Sequence, residues 1–105
     1  AEVEITEMTD ITYNDADLVA QMLPSIEKVL GKENVKLTKA TTGAEDFSYF
    51  VRDVPGFFFF LGGMTPGNQT PYPHHTPDFK IDESGMIYGV KVLSQMTLDY
   101  LNAND

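Results

Sequence analysis

Residues 2–6 alternate, with Val3 and Ile5 on one face and Glu2, Glu4 and Thr6 on the other. A period of two predicts a short half-buried strand, and its acidic face discourages edge-to-edge pairing. Glu7 and Met8 end that alternation. Asn14 or Asp15 then offers an N-cap, and Asp17 falls in the first turn, where it favours the helix dipole. Leu18, Met22, Ile26, Val29 and Leu30 form one helical stripe, Gly31 sits at the expected C-cap, and Pro24 predicts a kink or a split. Residues 35–38 read as a short strand, residues 41–43 as a loop, and residues 44–52 as a short helix carrying Phe47 and Phe50 toward the core. After the Val54-Pro55-Gly56 turn, the apolar run 57–61 closes on Gly62-Gly63 and predicts a strand covered on both faces. Residues 64–78 hold Pro66, Pro71, Pro73 and Pro77 and have no period; an ordered loop of about 15 residues tends to be functional. Asp82 or Ser84 can cap a last helix whose face is Met86, Val90, Leu93, Thr97 and Leu101, flanked by Ile87 and Tyr100. The expected fold class is therefore α/β, a partial sheet with flanking helices.

At 105 residues the chain suits one small domain, burying roughly 60–65% of its unfolded surface. Seven Lys and Arg against sixteen Asp and Glu give a net charge of −9, which argues against nucleic acid and anionic membrane as partners, since both need clustered cations. The absence of Cys excludes a disulfide scaffold and any thiolate zinc site. No apolar run approaches the roughly 20 residues of a membrane span. The start, Ala1-Glu2-Val3-Glu4, has neither Met nor the basic and apolar stretches of a leader, so a processed product or an excised piece is expected. The expected location is the cytoplasm.

Two places can carry chemistry. His74-His75 precedes Thr76-Pro77-Asp78-Phe79. On an extended backbone neighbouring side chains alternate, so at most one imidazole faces a given pocket, and a solvent-exposed pair is the simpler reading. The functional reading is one imidazole ligand to zinc or a similar ion, which needs partners from Asp, Glu or the other His. The second place is Thr41-Thr42-Gly43-Ala44-Glu45-Asp46-Phe47. Gly43 lets a ligand approach the backbone, and Glu45 and Asp46 suit a metal ligand or general base. Acids in a first helical turn are also ordinary caps and dipole partners. The block Phe57-Phe58-Phe59-Phe60 reads as core rather than as an aromatic binding box.

Three blocks follow one another as Gly43-Ala44-Glu45-Asp46-Phe47-Ser48-Tyr49-Phe50, Val54-Pro55-Gly56-Phe57-Phe58-Phe59-Phe60-Leu61-Gly62 and His75-Thr76-Pro77-Asp78-Phe79-Lys80-Ile81-Asp82-Glu83. In order and spacing they resemble the C-terminal end of the metal-dependent amidohydrolases of the aminoacylase, hippurate hydrolase and auxin-conjugate hydrolase type, within the M-twenty peptidases. The resemblance implies that residues 1–12 are the last strand of an inserted lid domain and residues 13–105 the C-terminal part of the catalytic α/β domain. It further implies two divalent ions, zinc or manganese, and an N-acyl amino acid or small peptide as substrate. On this resemblance His75 matches the family's final metal ligand, and Gly43 and Glu45 lie in a loop near the substrate. The other metal ligands and the general base belong to upstream segments, so no catalytic residue is expected in this chain and none of the activity when it is alone. The competing expectation is a free-standing acidic interaction domain descended from such an enzyme. An open sheet edge would offer a route to a homodimer.

Overall fold

The computed structural model describes residues 1–6, 9–68 and 70–104. Glu7 and Met8, expected to end the first strand, lie outside them. Two long helices carry the architecture, α1 over Ala16–Leu30 and α2 over Met86–Ala103, with short 3₁₀ helices at Lys32–Asn34, Asp46–Arg52 and Glu83–Gly85. No strand occurs among the described residues, which overturns the α/β partial sheet. A strand exists only through pairing with another, and none of the three expected runs finds one. Val3 and Ile5 are exposed, residues 35–38 have no regular structure, and residues 57–61 run unpaired.

α1 begins where the sequence indicates. The Asp15 carboxylate accepts the Leu18 backbone N–H at 2.8 Å, so Asp15 rather than Asn14 is the cap. It ends at Gly31, whose φ of 82° suits the residue without a Cβ and whose N–H reaches the Glu27 carbonyl. The helix continues through Pro24 without a split. Tertiary packing sustains it there: Met22, Ser25 and Ile26, on either side of Pro24, are all buried.

α1 and α2 pack together, and the core lies in that seam: Met22, Ile26 and Val92 are buried. Ser25 Oγ donates to Asp99 Oδ2 at 2.7 Å, Gln95 Nε2 donates to Asp99 Oδ1 at 2.8 Å, and Lys28 Nζ stands 3.9 Å from the same oxygen. This contact fixes the rotation of α2. The expected face of Met86, Val90, Leu93, Thr97 and Leu101 is turned outward, and Val92 is turned in. The Ser25 bond lowers the Asp99 pKa most; partial burial opposes it, and Gln95 and Lys28 add to the lowering.

Candidate functional site

The segment 10–15 holds the middle of the chain by a series of polar contacts. Asp10 N–H donates to the fully buried Ser48 Oγ at 3.3 Å, and Thr12 Oγ1 donates to the Glu45 carbonyl at 3.5 Å. The Asn14 side-chain amide donates to the Phe58 carbonyl and accepts the Phe58 N–H, both at 2.8 Å. Asp15 N–H donates to the Gly56 carbonyl at 2.9 Å. A side chain thus supplies the hydrogen bonds that a neighbouring strand would have supplied to Phe58. Gly56 is buried, and a Cβ there would collide with the Val51 side chain.

Glu45 is the N-cap of the 3₁₀ helix Asp46–Arg52: its carboxylate accepts the Phe47 N–H at 3.2 Å, and its carbonyl accepts the Ser48 N–H at 3.2 Å. One acid therefore orders the loop end and keeps its other carboxylate oxygen for further partners. Gly43 is exposed, with nothing within 4 Å of a notional Cβ. Phe47 packs on Phe58, ring centroids 5.5 Å apart, whereas Phe50, expected in the core, is exposed.

His75 has φ of 62°, the single non-glycine in the left-handed region among the described residues. The stretch is thus a turn rather than the extended backbone expected. Thr76 Oγ1 donates to the Pro73 carbonyl at 2.9 Å, and Phe79 N–H donates to the Thr76 carbonyl at 3.2 Å. The two imidazole centroids stand 6.4 Å apart, and His74 rests on the Phe79 ring at 4.7 Å. Both histidines are exposed. No hydrogen bond, ion pair or ring contact joins His75 to Gly43 or Glu45 among the described residues. Nor does any group of three or more His, Asp or Glu there gather to hold a metal ion. The donor set present fits one imidazole ligand and does not fit a complete metal centre.

Sequence reasoning missed Asn14 and Thr12 as the residues that tie the loop at Glu45 to the segment at Phe58. Their signal was available as polar side chains just before a helix, but a side chain bonding 44 residues away leaves no local period. No helix among the described residues is long and apolar enough to cross a membrane.

Known proteins place this arrangement. The family described as peptidase family M20/M25/M40 matches residues 1–99. A protein of Rhodococcus jostii named putative glutamate–cysteine ligase 2-3 is 36% identical over 84 residues, 80% of this chain and 10% of that protein. IAA-amino acid hydrolase ILR1-like 2 of Arabidopsis thaliana is 33% identical over 90 residues, 86% of this chain and 20% of that protein. The putative amidohydrolase YhaA of Bacillus subtilis is 40% identical over 58 residues, 55% of this chain and 15% of that protein. The chain thus spans a tenth to a fifth of the length of these relatives. No solved structure matches it. With the family's pattern running through the helix seam, the Glu45 loop and the His75 turn alike, the chain belongs to peptidase family M20/M25/M40, a family of hydrolases.

Proposed function

We propose that this chain is one part of a metal-dependent amidohydrolase that cleaves the amide bond of N-acyl amino acids or small peptides. The observation that carries the reading is the family match over residues 1–99, which takes in Gly43, Glu45 and His75 together. Relatives named as hydrolases of an amino-acid conjugate and of amides support the amide class. When bound, two divalent ions such as zinc or manganese polarise an amide carbonyl and lower the pKa of water.

In this reading His75 supplies one imidazole donor from an exposed turn, its ring centroid 6.4 Å from that of His74. Gly43 leaves open backbone beside the substrate, and the Glu45 cap orders that loop. The remaining ligands and the general base come from elsewhere in the polypeptide, so no catalytic step is assigned to these residues.

The test is hydrolysis of a panel of N-acyl amino acids by the longer polypeptide carrying this sequence, with and without chelator, beside the 105-residue chain. Expected are chelator-sensitive turnover by the former and none by the latter. In the former, His75→Ala abolishes activity and lowers metal content while His74→Ala keeps most of both. Chelator-sensitive turnover by the 105 residues alone, or equal loss in the two variants, would overturn the reading.

A further inference from the structure

His75 stands in a backbone conformation that its residue type does not favour. Its φ of 62° lies in the left-handed region, inside the turn at residues 73–76, where glycine or asparagine is the usual occupant. A residue with a Cβ stays there only when neighbouring contacts hold it. The next residue supplies one. Thr76 Oγ1 donates to the Pro73 carbonyl at 2.9 Å, which closes a ring around His74 and His75. The acceptor belongs to a residue whose own φ is locked by its ring. Thr76 is held in turn at its carbonyl, which accepts the Phe79 N–H at 3.2 Å. Further down, Asp82 N–H donates to the Gly63 carbonyl at 2.8 Å and ties the ends of the loop 64–81 together. His75 is thus presented from a loop closed at its base and braced at its tip by a hydroxyl.

We infer, on the reading of His75 as a metal ligand of a longer hydrolase, that Thr76 is its positioning residue: the hydroxyl bonded to Pro73 holds the left-handed backbone from which the imidazole serves as ligand. A ligand on a preset backbone gives up less conformational freedom when an ion fixes it. Loss of the brace lets φ of His75 return to negative values, and that redirects its Cα–Cβ bond and carries the imidazole elsewhere. Thr76 acts through His75 and contributes no ligand atom.

Two substitutions separate the hydroxyl from the rest of the side chain. Thr76→Val keeps the β-branch and removes the donor, whereas Thr76→Ser keeps the donor. In the metal-free 105-residue chain, a left-handed His75 gives a strong nuclear Overhauser effect between its own amide and α protons. Expected is a weaker effect in Thr76→Val and a retained one in Thr76→Ser. The helical circular dichroism stays unchanged in both, since Thr76 is exposed and distant in sequence from the buried residues of the seam. In the longer polypeptide, zinc affinity measured by competition with a chromogenic chelator is expected to fall about tenfold in Thr76→Val and to be restored in Thr76→Ser. An Overhauser effect as strong in Thr76→Val as in the parent overturns the inference, and so does equal zinc affinity in those two proteins. Loss in Thr76→Ser as large as in Thr76→Val overturns it too, because the hydroxyl would then not be what matters. His75→Ala in the longer polypeptide tells the two readings apart. Zinc affinity that falls in His75→Ala but not in Thr76→Val sinks the positioning role alone. Affinity that survives His75→Ala sinks the ligand reading, and the role of Thr76 with it.

Discussion

At the scale of single residues, Asn14 and Asp99 hold the fold in ways that different measurements reach. Asn14→Ala removes both bonds to Phe58 and leaves a half-buried N–H and C=O without their partner. The expected loss is about 1–3 kcal/mol, read as a lower urea midpoint at unchanged slope. Asn14→Asp accepts the N–H but cannot donate to the carbonyl, and recovers part of that loss. Asp99 sets a pH dependence. Its folded pKa is lowered, chiefly by the Ser25 hydroxyl, so its contribution is present above the ordinary aspartate value of about 3.9 and is lost as pH falls through the lower folded value. Ser25→Ala is expected to move the Asp99 titration upward toward the ordinary value, followed by NMR of its carboxyl carbon. An unmoved titration would show that Ser25 does not set it. The candidate site was partly legible at this scale. The capping role of Glu45 follows from an acid at the start of a helical turn. The left-handed backbone of His75 does not, because a non-glycine adopts it only when surrounding contacts such as Thr76 to Pro73 hold it there.

At the scale of elements, the two long helices were legible and the expected strands do not form among the described residues, and the reason is where each finds its hydrogen bonds. α1 closes its own bonds, so cap, stripe and Gly31 terminus all mark it locally. Residues 57–61 carry the apolar run of a strand, but pairing depends on a second segment that no local pattern reveals. α2 shows a different limit. Apolar side chains surround it, from Met86, Ile87 and Tyr88 through Val90, Val92 and Leu93 to Leu98, Tyr100 and Leu101, so periodicity selects no face. The polar contact of Asp99 with Ser25 makes the choice instead. Pro24 offers the test at this scale. It is exposed inside α1 and lacks an N–H for the Ala20 carbonyl. Relative to alanine a proline in a helix interior costs about 3 kcal/mol, offset in part by the stiffer unfolded chain. Pro24→Ala is therefore expected to stabilise the chain by about 1–2 kcal/mol, a rise in melting temperature of roughly 4–15 °C. A lower melting temperature would show that α1 needs the proline's geometry at that turn.

At the scale of the whole molecule, two properties oppose each other. Leu61 and Leu93 stand exposed at an apolar groove of about 330 Å³ that Phe47, Phe57, Phe58, Phe59 and Gly89 also line, as do Met86, Val90 and Leu101 on the outer face of α2, and surfaces of that kind associate. The charge of −9 opposes association of copies at neutral pH. As pH falls toward the isoelectric point near 4.4, carboxylates take up protons and the repulsion fades. The Asp99 contact lies at the lower end of the same titration, so the helix seam is still held when the repulsion first weakens. The expected outcome is association of folded chains between about pH 5 and 4, seen as rising light scattering while far-ultraviolet circular dichroism keeps its helical signal. Leu93→Glu reduces the apolar surface as well as adding charge. Leu93→Gln reduces it without adding charge, so a shift to lower pH in both variants assigns the association to the groove. A shift in the glutamate variant alone assigns it to charge, and loss of helical signal before any scattering would mean that the seam, not the groove, gives way first.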